Sequence, residues 1–351
     1  MATPDARGAS GSRPPGTGPA GPASAGPGTA APEPEQLSAA LRRWLAAKFG
    51  GEVTDASRPA RITGGMDFWT YALHLAGPCL PAAWSAPLIA RVPGATVRFA
   101  LLERESRLQG WVATCGYPAP PLIELIPPGE VLALPVQVAA RMPGVPMAAV
   151  MNARPWRIPR LARQLGAAHA ALHRLPLPGW ADDSWSLAAS RLRLTRRAVT
   201  SGGRPALAAG LAAAEEILPR LQVPDPVICH GDFHPLNVLV DTEHLAVIDW
   251  TDAGIGDRHG DIARTAWLFR LAAELEPGRA RRLMLRALAP GLTRAYLSSY
   301  RRLQPVDKDR QRLWMPLHLL HVWTAAETAG QARLAAWAER QFLRSVADLP
   351  R

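Results

Sequence analysis

Asp232, Asn237 and Asp249 are three oxygen-bearing side chains in a stretch that otherwise reads as strand, VICHGDFHPLNVLVDTEHLAVIDW, from Val227 to Trp250. Polar groups on half-buried strands are costly unless something uses them. Val238-Leu239-Val240 and Ala246-Val247-Ile248 predict an antiparallel hairpin with the tip Thr242-Glu243-His244. In that register Val240 faces Ala246, Val238 faces Ile248 and Asn237 faces Asp249. Opposed residues carry their Cβ atoms about 4.5–5.5 Å apart on one side. An amide oxygen and a carboxylate then meet at the open end of the hairpin, and two hard oxygen ligands suit Mg²⁺ with its waters and substrate phosphates. Taken alone, the pair reads better as a hydrogen bond closing a hairpin. Asp232 shifts the balance. It lies five residues before Asn237, on a loop bent by Pro235. An Asp that takes the acceptor's hydroxyl proton, an Asn on the metal and a second metal-binding Asp across a hairpin form the arrangement used in phosphoryl transfer.

The elements that must position these groups follow from periodicity. EQLSAALRRWLAAKFGG sets Leu37, Leu41, Trp44, Leu45 and Phe49 at helical spacing and ends at Gly50-Gly51. ARITGG and FWTYALHL predict a hairpin around Gly64-Gly65, and PLIARV a third strand carrying Arg91. ALLERESRLQGWVATCG predicts an amphipathic helix with Leu101, Leu108, Trp111 and Val112 toward the core. PLIELI and VLALPVQVAA predict two more strands before Met142-Pro143-Gly144 breaks the pattern. Beyond it the chain is helical, interrupted by the motif hairpin, with about four helices after Asp261. The fold class is therefore α+β with two lobes: a tail over 1–35, a β-rich lobe over 36–142 and a mainly helical lobe over 143–351. A cleft between lobes is a common place for a small-molecule site.

The tail has no Val, Ile, Leu or aromatic residue between Ala2 and Gln36, so it is expected to be disordered. It has no apolar segment of the secretory type. Cys79, Cys115 and Cys229 are few, odd in number and far apart, which argues against a disulfide framework and for a reducing, cytoplasmic setting. No stretch approaches the ~20 apolar residues of a membrane span. The formal net charge of +11 favours anionic partners or simply solubility. No basic patch interleaved with aromatics stands out and no nucleic-acid motif is present, so neither nucleic acid nor a membrane is expected as partner. Oligomeric state is not legible.

His230-Gly231-Asp232-Phe233-His234-Pro235-Leu236-Asn237, then Ile248-Asp249-Trp250, then Gly256-Asp257 with Asp261, resembles the aminoglycoside phosphotransferase family, a branch of the protein-kinase-like fold. The resemblance extends over roughly Leu37 to Trp323. It implies that Asp232 is the catalytic base, that Asn237 and Asp249 hold Mg²⁺, and that Asp261 is a buried residue shaping the catalytic loop. It also implies that Gly64-Gly65 covers the nucleotide phosphates of ATP or GTP, and that Arg91 meets them with Glu105 as ion-pair partner. Leu236 departs from the Gly often found there, and Asp67 from a frequent Asn; neither removes a catalytic group. The implied reaction moves a γ-phosphoryl group to the hydroxyl of a small molecule, an antibiotic or a metabolite.

Two other readings compete. His230, Asp232 and His234 alternate, so on a strand they could chelate a transition metal for hydrolysis. This reading needs a second ligand cluster. His169 and His173 are spaced for one helix face but lie on a core-like stripe, and there is no HExxH. Alternatively a kinase-like fold can be a catalytically silent binding module, although such loss usually removes a base or a metal ligand, and all three remain.

Overall fold

The computed structural model describes residues 30–63, 68–94, 99–201, 205–242 and 244–349. Gly64, Gly65 and Asp67 lie outside the described residues, as do residues 1–29 of the tail. Order starts slightly earlier than expected. Helix α1 spans Pro34–Phe49, with Pro in its first turn, where its missing N–H costs nothing. The Tyr71 hydroxyl donates to the Pro32 carbonyl at 2.7 Å, so residues 32–35 belong to the folded body rather than to the tail.

The first lobe continues through β1 (Thr54–Asp55), β2 (Ala60–Ile62), β3 (Phe68–Leu73), β4 (Leu75–Ala76), β5 (Leu88–Pro93), α2 (Phe99–Thr114), β6 (Leu122–Ile126) and β7 (Val136–Ala140). Five of these strands form an antiparallel sheet in the order β2-β3-β5-β7-β6. Leu37, Leu41 and Leu45 of α1 stack at i, i+4 spacing on Tyr71, Leu88, Val136 and Val138 of this sheet. The buried face of α2 holds Leu102, Glu105, Ser106, Leu108, Gln109 and Val112. Leu101, expected in the core, is 54% exposed instead. The helix is rotated so that Glu105 and Gln109 turn inward to polar partners, which carries Leu101 to the outside.

The mainly helical part follows a turn at Gly144, whose φ of 105° only glycine adopts without strain. A Cβ there would sit 2.7 Å from the Val240 carbonyl. This part runs through β8 (Val145–Pro146), α3 (Met147–Ala153), a short turn of 3₁₀ helix at Pro155–Arg157, α4 (Ile158–Leu172), α5 (Leu187–Ser201), α6 (Pro205–Glu216), α7 (Leu218–Leu221) and β9 (Val227–Cys229). Then come β10 (Val238–Val240), β11 (Leu245–Val247), β12 (Gly254–Gly256), α8 (Arg258–Leu275), α9 (Arg279–Tyr300), α10 (Lys308–Thr328) and α11 (Ala332–Ala347). Strands β9 and β12 pair, and β10 lies between β11 and β8. Phe233, Val238, Val247 and Trp250 of the motif stretch are buried in one cluster with Leu165, Ile262 and Tyr296. The motif is thus anchored on both sides by the helical core.

The hairpin forms, but one residue out of the expected register. Val238 faces Val247, Leu239 faces Ala246 and Val240 faces Leu245. Asn237 consequently stands opposite Ile248, whose N–H donates to the Asn237 carbonyl at 2.9 Å. A slip of one residue reverses the face of every side chain. It arises because both strands are apolar throughout, so no alternation fixes the register. On its other edge β10 pairs with β8.

Candidate active site

The catalytic-loop candidate leaves β9 at His230 and turns at Gly231, where φ is 78° and a Cβ would lie 2.3 Å from the Asp252 carbonyl. Only glycine fits so close a backbone approach. The loop is held from beneath by Asp261 in the first turn of α8. Its fully buried carboxylate accepts from the backbone N–H of His230 at 2.6 Å and of Gly231 at 2.9 Å. It also accepts from His169 Nε2 at 3.0 Å and His173 Nε2 at 3.3 Å. The other ring nitrogens lie 2.7 and 2.6 Å from the Tyr296 and Tyr300 hydroxyls; burial favours the neutral rings, and these nitrogens then accept from the hydroxyls. Asp261 is held well below the usual carboxylate range: burial pushes it up, but His169 and His173 outweigh that.

Asp232 projects from this loop, half-buried. Its Oδ1 accepts from Arg264 Nη2 at 3.0 Å and its Oδ2 from His234 Nε2 at 3.0 Å. Burial raises its affinity for a proton, yet the His234 hydrogen bond and the Arg264 charge win and hold it below its ordinary value. Asp232 is therefore a carboxylate throughout the neutral range. Asn237 donates through Nδ2 to the Asp232 carbonyl at 3.1 Å and to Oδ2 at 3.3 Å. That orientation leaves the Asn237 amide oxygen available as a ligand.

Asp249 follows β11 with φ 64°, the one left-handed non-glycine among the described residues. Such a conformation costs a non-glycine residue about 1–3 kcal/mol and clusters at functional sites. It re-aims the chain after the shifted hairpin. Thr251 donates to Asp249 Oδ1 at 2.8 Å, and Arg91 Nη2 lies 3.5 Å from the same oxygen. Arg91, in β5, also pairs with Glu105 of α2 and donates to Gln137 Oε1 at 3.2 Å, stacked 4.0 Å from the centre of the Phe68 ring. Thr251 reaches Glu105 Oε2 at 3.1 Å. Burial raises the pKa of Glu105, and Arg91 opposes it. Arg91 thus ties the first lobe to Asp249 of the second.

Arg91, Glu105 and Asp249 come together, as do Asp232 and Asn237. His230 and His234 do not converge with Asp232 on one point: His230 is buried and donates to the Ile248 carbonyl at 3.1 Å. Among the described residues the one group of His, Cys, Asp and Glu close enough to hold a metal ion is His169, His173 and Asp261, and its nitrogens and oxygens are spent on the bonds above. The hydrolase reading loses its chelating face.

Sequence reasoning missed Arg264, Arg191, Gln137 and Thr251. Arg264 lies one helical turn after Asp261 on α8, a spacing that could have signalled a shared face. Arg191, buried in α5, donates to Asp252 at 3.1 Å and to the Gly231 carbonyl at 2.7 Å, beside His321.

Buried neutral histidines make stability depend on pH. Burial lowers His173 to about 4, and burial followed by the Arg191 charge lowers His321 to about 4. The unfolded chain binds these protons near pH 6.5, before the folded one does. Stability should therefore fall as pH drops from about 6.5 to about 4, by about 3 kcal/mol per histidine. Asp257, which burial raises but its His259 and Trp314 hydrogen bonds lower to about 2, acts in the same direction further into acid. Chemical denaturation across this range checks it; a flat profile between about pH 6.5 and 4 would overturn it.

Comparison with known proteins gives the fold and the family. The chain is 16% identical to a putative aminoglycoside phosphotransferase from Ralstonia eutropha JMP134, with TM-score 0.60 over 90% of this chain and 99% of that one. An aminoglycoside phosphotransferase crystallised with AMP-PNP and hygromycin B gives 18% identity and TM-score 0.58 over 88% and 99% of the two chains. The Plasmodium vivax ethanolamine kinase gives 12% and 0.57 over 82% of each. These likenesses establish the two-lobed kinase-like fold. In sequence, the chain is 23% identical over 242 residues to acyl-CoA dehydrogenase family member 10 of Mus musculus; the match takes in 66% of this chain and 22% of the length of that curated relative. No helix among the described residues is long and apolar enough to cross a membrane. With residues 60–306 matching its whole-family pattern, the chain belongs to the phosphotransferase enzyme family.

Proposed function

We propose that this protein transfers the γ-phosphoryl group of ATP or GTP to a hydroxyl of a small molecule. The carrying observation is the meeting of Arg91, Glu105 and Asp249, which are far apart in sequence, beside a loop that presents Asp232 and Asn237. In this reading Asp232 orients the acceptor hydroxyl and takes its proton, with Arg264 and His234 fixing the carboxylate. Arg91, positioned by Glu105, meets the nucleotide phosphates, and Gly64-Gly65 covers them. The division at residues 142/143 into nucleotide and substrate lobes is part of the proposal. Catalysis of this kind rests on positioning and charge neutralisation.

The donor set fits Mg²⁺. The Asn237 amide is oriented with its oxygen free, and Asp249, with a half-exposed carboxylate, is turned by its left-handed backbone. Both are hard oxygen donors. When bound, the ion neutralises phosphate charge. Asp249→Ala is expected to weaken Mg²⁺-nucleotide binding by at least ~10-fold, because the ligand acts in the ground state as well. Calorimetry with unchanged affinity would remove Asp249 from the ligand set. Three free cysteines fit a reducing compartment, and we place the enzyme in the cytoplasm.

The acceptor is expected to be neutral, anionic or apolar rather than polycationic. From Ile262 to Arg351 sixteen cationic residues stand against seven acidic ones, a net of about +9. Two of those acids are already taken, Glu274 by Arg286 and Glu276 by Arg281. Nucleotide-consumption kinetics on a panel of hydroxyl compounds spanning charge tests both levels. Turnover of no hydroxyl compound would sink the kinase reading. Efficient turnover of aminoglycoside polyamines, at kcat/KM of ~10⁴ M⁻¹s⁻¹ or above, would sink only the acceptor class.

A further inference from the structure

A cleft of about 580 Å³ opens on the second lobe between the α3–α4 segment and the tip of the β10–β11 hairpin. It lies at the far end of β10 from Asn237, so it is not the site described above. Val145, Ala149, Val150 and Val240 give it apolar walls, and Arg154, Arg157 and Asp241 its charged lining. A smaller recess beside it is lined by Arg157, Arg160 and again Asp241, so the cations outnumber the one carboxylate.

Three features there are hard to explain by folding alone. First, among the described residues no hydrogen bond or ion pair holds the side chains of Arg154, Arg157 or Arg160, whereas those of Arg264, Arg286 and Arg310 are paired. Second, these cations crowd the wrong end of a helix. The 15-residue α4 starts at Ile158 with no side-chain cap and no acid in its first turn. A helix N-terminus carries a partial positive charge, so each nearby Arg costs up to about 1 kcal/mol unless an anion is present. Local conflicts of this sort occur mainly where function demands them. Third, Trp156, set between these arginines, is 74% exposed. The expectation that no basic patch carries an aromatic is corrected on this surface.

We propose that the cleft binds a phosphate-bearing amphiphile, its phosphate on Arg154, Arg157 and Arg160 at the α4 N-terminus and its apolar part along Val145, Ala149 and Val150. Arginine forks match phosphate oxygens bidentately. The apolar walls argue against a bare inorganic anion. A single exposed tryptophan, without a run of stacking partners, argues against single-stranded nucleic acid. The same chemistry could arrive as a soluble phosphate monoester or as the headgroup of a lipid surface.

The test uses the full chain. Calorimetry measures hexyl phosphate, a monomeric probe, against inorganic phosphate; co-sedimentation compares phosphatidylglycerol with phosphatidylcholine vesicles. Saturable binding in either arm is expected, weakened ~10-fold or more in Arg157→Glu/Arg160→Glu. That variant should keep its circular dichroism and nucleotide affinity, since neither arginine is held by the fold. Hexyl phosphate binding alone assigns a soluble ligand, and binding to phosphatidylglycerol vesicles alone assigns a lipid surface; each supports the site. Binding in neither arm, or binding undiminished in the variant, overturns it. So does inorganic phosphate binding as tightly as hexyl phosphate, or a single-stranded oligonucleotide binding where both amphiphiles fail.

Discussion

Asp232→Asn is expected to lower turnover by ~10²-fold or more while leaving fold and nucleotide affinity intact. The substitution is isosteric. An Asn oxygen still accepts from Arg264 Nη2, while the hydrogen bonds from His234 and Asn237 to the other oxygen are given up. What disappears is a group able to take a proton. Because Arg264 and His234 hold Asp232 ionised, the wild-type base is already in its working form at neutral pH. The loss should therefore appear in kcat rather than in the pH at which activity rises. Steady-state kinetics with nucleotide titration separates the two. A variant turning over near the wild-type rate ends the assignment of Asp232 as base.

Asp261→Ala should be the most damaging change to stability, by about 3–5 kcal/mol. The carboxylate accepts four hydrogen bonds, from the His230 and Gly231 backbone and from His169 and His173. All of these groups are buried, and none has water to turn to once the acceptor is gone. Two backbone donors at the root of the catalytic loop would be orphaned, so activity should fall with stability. The contrast with Asp232→Asn is the informative part: one loses chemistry on an intact fold, the other loses the fold under the chemistry. Denaturant unfolding measures it, within a total stability of about 5–15 kcal/mol for a typical protein. A loss below about 1 kcal/mol would mean that the two histidines and the loop do not depend on this carboxylate. Should the variant not accumulate folded, Asp261→Asn keeps one acceptor and is expected to fall between it and the wild type.

The sequence by itself determined the order of elements, the two-lobed α+β class and the identity of the chemical groups. Those features are written in local patterns. Apolar spacing in EQLSAALRRWLAAKF makes α1, glycine and proline punctuate the strands, and Asp232, Asn237 and Asp249 stand where few other residues would serve. The register of the β10–β11 hairpin was not legible. Val238-Leu239-Val240 and Ala246-Val247-Ile248 are apolar on both faces, so their alternation says nothing about pairing. The folded structure pairs Val238 with Val247 and places a left-handed turn at Asp249 just beyond it. Which of Leu101 and Leu102 is buried was equally hidden, because the α2 face follows Glu105 to Arg91, a partner in another element. The arginine on Asp232 comes from a helix 32 residues further along. Proximity across such separations is created by packing the helical core, and only the tertiary structure could place a cation on Asp232 and tie Arg91 to Asp249.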